Sequence, residues 1–244
     1  MRKKVFNLFA ILVIGGLGGV LADQFFLPYL STVPLFSKIK FVRQSGNGTT
    51  IINPTEKIVI TENTAIEDAV SKVGPCLVIV QALQGEKIIS QGSGFVIASD
   101  GLIITAADNI STKADRYLIF RNSHSLVAEV VKKDAGSNLA LLKIGESNLP
   151  VVSFVDFEDL RLGQRIILIG AELTEEGLNR FVNLGIIRSI YAKILKINLT
   201  EQNSSANGGP LVNIKGEVIG LNLVDQKGLI ETIPSSQIKL FAGF

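Results

Sequence analysis

The sequence predicts an all-β fold of two antiparallel barrels, and two observations carry that prediction. Strand-like runs fall into two sets of about six, and no helical stretch between them is long enough for a βαβ crossover. The runs are short and apolar or alternating, and turn chemistry such as Ser99-Asp100-Gly101 and Arg121-Asn122-Ser123 divides them. The length of 244 residues suits one or two domains, and a 47% apolar share excludes disorder and supplies a core.

In chain order, Arg2-Lys3-Lys4 precedes an apolar run from Val5 to Leu21 broken only by Asn7. A membrane span needs about 20 apolar residues, and Phe25-Phe26-Leu27-Pro28-Tyr29-Leu30 extends the run past Asp23-Gln24. Residues 1–30 therefore read as a membrane-anchoring transmembrane helix or as a signal sequence cleaved after Ala22, with a buried soluble helix the third reading. In the first two cases the positive flank stays cytoplasmic. The remainder is then extracytoplasmic, single-pass and membrane-anchored, or secreted if cleaved. Residues 31–61 mix Pro, Ser, Gly, Asn and Thr, with Arg43-Gln44-Ser45-Gly46-Asn47-Gly48-Thr49 at their centre, and read as a linker.

The third segment is 62–244. It opens with helical spacing from Thr64, a capping residue, to Val73, and Gly74-Pro75 ends the helix. The first strand set is Leu77–Gln81, Gly94–Ala98, Leu102–Thr105, Tyr117–Phe120, Ser125–Val131 and Leu139–Ile144, giving an N-barrel at about 75–148. The second is Arg165–Ile169, Phe181–Ser189, Ala192–Ile197, Leu211–Ile214, Val218–Leu223 and Leu229–Ile233, giving a C-barrel at about 149–238.

Composition removes several function classes. Six of the basic residues fall before residue 44 against Asp23 alone, which leaves the rest of the chain at −3 and without a nucleic-acid surface. A single cysteine, Cys76, sits in an apolar strand and reads as a core residue. His124, the only histidine, lies at an expected hairpin tip and reads as a solvated turn residue. No ligand spacing for a metal and no phosphate loop is present, so no metal and no cofactor is expected.

Gly92-Ser93-Gly94-Phe95, Asp100-Gly101 with Thr105-Ala106-Ala107-Asp108, Asn138-Leu139-Ala140-Leu141-Leu142-Lys143 and Ala206-Asn207-Gly208-Gly209-Pro210-Leu211 follow one another in order. Together they resemble the HtrA/Deg family of trypsin-like serine proteases, over roughly Glu62 to Phe244. The resemblance implies a chymotrypsin/trypsin-like pair of six-stranded barrels with a site between them. It also implies that the catalytic His, Asp and Ser fall at Asp108, Asn138 and Asn207. All three triad positions are substituted. An amide is no nucleophile, a carboxylate is too weak a base at neutral pH, and losing nucleophile or base alone costs about 10⁶ in turnover.

The substitutions are mutually consistent. Asn138 replaces a carboxylate that would crowd Asp108, and its amide is expected to donate to Asp108, with Asn207 donating from the other side. The family's oxyanion donors fall at Ser205 and Asn207, and Ser205 lacks glycine's access to positive φ. Family likeness also places an extended peptide or unfolded segment beside the strand that carries Leu221, Asn222 and Leu223. It implies a homo-trimer as the common assembly. No stretch resembles the family's PDZ module. Three functions are compatible: a membrane-anchored pseudoprotease acting as a binding or regulatory module in envelope protein quality control, an endopeptidase using non-standard residues, and a structural envelope protein.

Overall fold

The computed structural model describes residues 2–32, 62–121, 124–191 and 194–244. Apart from Ser31 and Thr32, the linker expected at 31–61 lies outside the described residues. The chain forms two compact units, Met1–Val59 and Ile60–Phe244.

In the first unit an α-helix over Arg2–Leu21 continues through a π-helical segment, Ala22–Phe26, into a helix over Leu27–Thr32. Helical backbone therefore runs unbroken past Ala22. The stretch Phe9–Phe26 is long and apolar enough to cross a membrane, and none of it is buried. Phe9, Leu12, Ile14, Leu17 and Phe25 all stand exposed.

The second unit opens with a helix over Glu62–Val73, two residues earlier than Thr64. Ala65, Ala69 and Val73 recur every fourth residue and are buried, so one stripe of this helix faces the core. Six antiparallel strands then close a barrel: β1 (Leu77–Gln84), β2 (Lys87–Ala98), β3 (Leu102–Ala106), β4 (Arg116–Arg121), β5 (His124–Asp134) and β6 (Leu139–Ile144). Their order around the barrel is β1-β2-β3-β6-β5-β4. His124 is exposed at the start of β5, paired with Arg121.

The second sheet comprises β7 (Ser153–Phe154), β8 (Arg165–Thr174), β9 (Gly177–Tyr191), β10 (Ile194–Asn198), β11 (Pro210–Asn213), β12 (Glu217–Val224) and β13 (Ile230–Pro234). They run β10-β9-β8-β11-β12-β13, with the short β7 parallel to β12. The expected six antiparallel strands are all present, and β7 is an addition. This second barrel curls without a continuous ladder, since an isolated bridge from Thr200 to Leu229 stands where closure would be. A terminal helix, Ser235–Ala242, packs Ile238 into the core and ends at Gly243 with φ 87°.

Side-chain alternation assigns each strand to two cores. Val78, Val80, Val96, Ile103, Ala140 and Leu142 fill the first barrel. Ile166, Leu168, Leu211 and Ile219 fill the second. The residues next to them in sequence point the other way: Leu77, Ile79, Phe95, Ile104, Leu139, Ile167, Ile169, Val212 and Val218 form a third cluster joining the two barrels, together with Leu221 beyond the β11–β12 irregularity. Strands buried on both faces explain why these segments read as continuous apolar runs rather than as alternation.

Candidate functional site

Three local structures bring the site together. The first is the end of β3, where a 3₁₀ turn over Ala107–Asn109 exposes Asp108 and buries Asn109. The second is the β5–β6 turn. Asp134 accepts from Gly136 N at 3.0 Å and from Ser137 Oγ at 2.6 Å, and the chain leaves this turn at Asn138 with φ 52°. Asn is one of the few side chains that tolerate that region. The hydroxyl of Ser137, with the Gly136 N–H, holds the Asp134 carboxyl below its ordinary range.

Asn138 and Asp108 then clasp each other. Asn138 Nδ2 donates to Asp108 Oδ2 at 2.8 Å, Asp108 N donates to Asn138 Oδ1 at 3.1 Å, and Ala107 N donates to the Asn138 carbonyl at 3.1 Å. An aspartate at 138 would turn the first of these into carboxylate against carboxylate. A polar cleft of about 360 Å³ opens beside the pair, lined among others by Ser90, Asp108, Ser111 and Lys133.

The third structure is the loop into β11, a 3₁₀ turn over Ser204–Ala206 followed by Asn207 in extended conformation. Two glycines let this loop press against the first barrel. A methyl on Gly208, whose φ is 85°, would meet the Ser93 carbonyl at 2.4 Å, and one on Gly92 would meet the Asn109 amide at 2.3 Å.

Across that contact, the Asn207 carbonyl accepts from Ser93 N at 2.8 Å and from Asn109 Nδ2 at 2.9 Å. Ser93 Oγ donates to the Ser205 carbonyl at 2.6 Å and accepts from Ala171 N at 2.9 Å. Ser93 is fully buried, so its hydroxyl is a structural strut and no nucleophile.

The Asn207 side chain does not join Asp108. Its Nδ2 donates to Asn109 Oδ1 at 3.3 Å and its Oδ1 accepts from Val224 N at 3.2 Å. The neighbours dictate this orientation: Val224 meets the carboxamide with its N–H, and Asn109 spends its own amide nitrogen on Thr105 Oγ1 and the Asn207 carbonyl. The three-way cluster expected around Asp108 is thus two separate pairs, Asp108 with Asn138 and Asn207 with Asn109. The cause is competition: buried Asn109 and the Val224 N–H engage both ends of the Asn207 carboxamide.

The N–H groups of Ser205 and Asn207, the two donors named from the family likeness, are both engaged within the loop. Asn207 N donates to the Ser204 carbonyl at 3.0 Å, closing the 3₁₀ turn, and Ser205 N donates to Asn203 Oδ1 at 2.9 Å. Ser205 does not adopt positive φ; among described non-glycine residues only Asn138 and Asn148 do. Asn203 is held in turn by Glu172, whose Oε2 accepts from Asn203 Nδ2 at 2.7 Å and whose Oε1 accepts from Asn179 Nδ2 at 2.9 Å.

Those two amides hold the Glu172 carboxyl below its ordinary value of 4.5. A folded-state value that is depressed stabilises the loop at pH above the unfolded value and is lost as pH falls through the folded one. Hydrogen exchange at Ser205 N is therefore expected to accelerate between about pH 5 and pH 3 relative to its intrinsic rate, and Glu172→Gln to remove that acceleration.

The strand expected to meet a peptide is largely occupied. Leu221 pairs with Pro210 on one side and Ile233 on the other. Asn222 donates its N–H to the Gly209 carbonyl at 2.9 Å and accepts from Gly208 N at 2.7 Å. Leu223 is half-buried and pairs with Glu231. Edge character begins only at Val224.

A trypsin-like peptidase domain model matches residues 92–221, more than half of the chain. The chain is an HtrA-type member of the trypsin-like peptidase family. A probable periplasmic serine endoprotease, DegP-like, of Halomonas elongata is 38% identical over 142 residues, covering 54% of this chain and 29% of that protein. The serine protease HTRA1A of Danio rerio is 29% identical over 222 residues, covering 83% of this chain and 46% of that protein. The crystal structure of the serine endoprotease from Yersinia pestis superposes with a TM-score of 0.64 at 25% identity, covering 77% of this HtrA-type chain and 67% of that one. The chain therefore spans less than half the length of these two curated relatives.

The roles of Asn109 and Glu172, and the capping role of Asn203 within its polar loop, emerge only from the structure. Asn109 carried one signal, an amide inside the otherwise apolar run Ala106-Ala107 to Ile110, broken only beside Asp108. Asn203 carried another, since an Asn two residues before Ser205 is placed for an Asx turn. Glu172 carried none, because the register of the β8–β9 hairpin sets Asn179 opposite it and Asn203 comes from 31 residues away.

Proposed function

We propose that this HtrA-type chain is a pseudoprotease: a membrane-anchored, extracytoplasmic trypsin-fold module that binds or regulates, in envelope protein quality control, without cutting. One observation carries the reading. The two backbone N–H groups at the oxyanion positions, Ser205 and Asn207, are both spent on the loop's own acceptors. Stabilising the tetrahedral oxyanion requires such donors to be aimed outward, and losing one costs about 10²–10³ in turnover.

The rest of the site supports it. Asp108 is tied to Asn138, and Asn207 contributes an amide where the family has its hydroxyl. No described serine, histidine and carboxylate are joined by hydrogen bonds into a relay.

For location, the exposed apolar stretch Phe9–Phe26 is long enough to serve as the anchor. The periplasmic designation of the Halomonas relative favours an extracytoplasmic domain. Arg2, Lys3 and Lys4 fit the cytoplasmic side by the positive-inside rule.

Full-length protein in detergent, incubated with reduced casein and followed by mass spectrometry, is expected to generate no new fragments. Fragments that accumulate with time, and persist through repurification, would overturn the proposal.

A further inference from the structure

The sequence at Asn207 does more than withhold a nucleophile. On β12 the main-chain groups alternate sides: Leu221 and Leu223 pair toward β13, while the N–H and C=O of Asn222 point the other way, to Gly209 and Gly208. By the same alternation the N–H and C=O of Val224 face that second side. There β11 has ended, since its pairing with β12 stops at Pro210 opposite Leu221. Val224 is thus where an added strand would meet an open edge, and what meets its N–H is the Oδ1 of Asn207 at 3.2 Å.

A side-chain carboxamide is a chemical copy of a peptide group, with one carbonyl acceptor and an N–H donor on the same carbon. At Val224 its carbonyl does what the carbonyl of an added strand would do. The other end of the carboxamide is held at 3.3 Å by Asn109 Oδ1, so two bonds at the long end of the normal range retain it. Both are released by rotating one side chain, with the backbone of the loop still fixed by Ser93, Asn109 and Ser204.

We propose that Asn207 is an intramolecular plug. It occupies the peptide-binding edge at Val224, and an extended polypeptide segment binds there only by displacing it. This inference rests on the binding-module reading above and adds to it the regulation of that same edge.

The test measures fluorescence anisotropy of a labelled extended peptide pool, cut from reduced casein, against the full-length chain in detergent. Asn207→Ala and Asn207→Ser are each expected to bind about tenfold or more tighter than the unsubstituted chain, the order that two ordinary hydrogen bonds supply. Val224→Pro in the Asn207→Ala background removes the edge donor and is expected to abolish the gain. Hydrogen exchange at Val224 N, expected to be slow in the unsubstituted chain and at least about tenfold faster in Asn207→Ala, reads the plug directly, and unchanged protection at Asn222 N, which donates to the Gly209 carbonyl, verifies that the variant is folded.

Equal, measurable binding by all chains would overturn the plug and leave the binding module standing. No binding by any chain would overturn both. Peptide cleaved by the unsubstituted chain would overturn the pseudoprotease reading itself.

Discussion

A chain carrying Asp108→His, Asn138→Asp and Asn207→Ser is expected to remain without measurable peptidase activity, although its triad is chemically complete. On the proposed assignment the substitutions supply nucleophile, base and orienting carboxylate, but they leave Ser205 N on Asn203 Oδ1 and the residue-207 N–H on the Ser204 carbonyl. Nothing in the three changes touches Asn203 or its support from Glu172. Adding Asn203→Ala and Ser205→Gly removes the competing acceptor and gives the backbone access to positive φ. The five-fold variant is expected to exceed the three-fold one by about 10²–10³ in turnover of an activated ester. If the three-fold variant already matches it, the loop is preorganised for catalysis, and the assignment of both donors to internal bonds is wrong.

Phe95→Ala is expected to destabilise the Ile60–Phe244 unit by about 3–5 kcal/mol, as buried Phe truncations do. Phe95 is wholly inaccessible and belongs to the cluster shared by both barrels, with Leu77, Ile104 and Ile169. It pairs with Leu77 and Ile104 on its two flanking strands, so neither neighbour can move into the void without breaking its own ladder. The denaturant midpoint reports the loss. Val127→Ala, on a side chain 68% exposed, serves as the control and should fall within about 0.5 kcal/mol of the parent. A Phe95→Ala change as mild as the control would show that the shared cluster does not join the barrels.

Much of this architecture was legible in the residues. Turn chemistry at Asp100-Gly101 and the apolar runs placed the strands, and the order of Gly92-Ser93-Gly94-Phe95 and Gly208-Gly209-Pro210 placed the loops. Strand lengths were less legible. β2 begins at Lys87, seven residues before Gly94, because its early part is exposed and hairpin pairing with β1 sustains it. The terminal helix over Ser235–Ala242 was missed because its only fully buried apolar anchor is Ile238, too little for a periodic signal.

At the site, the clasp between Asp108 and Asn138 followed from the family likeness, which sets the two positions side by side, and from charge, which favours an amide next to the carboxylate. The destination of the Asn207 amide did not. It depends on Asn109 and Val224, two positions that β-sheet register brings to the loop from far away in sequence.

The most direct measurement is labelling of the full-length chain with a serine-reactive phosphonate, followed by mass spectrometry of every serine-containing peptide. A cleft whose oxyanion-position donors are both engaged, and whose site contains no activated hydroxyl, should acquire no adduct. A phosphonate found stoichiometrically on Ser204 or Ser205 would contradict that account, because only an activated nucleophile beside a working oxyanion site reacts in this way.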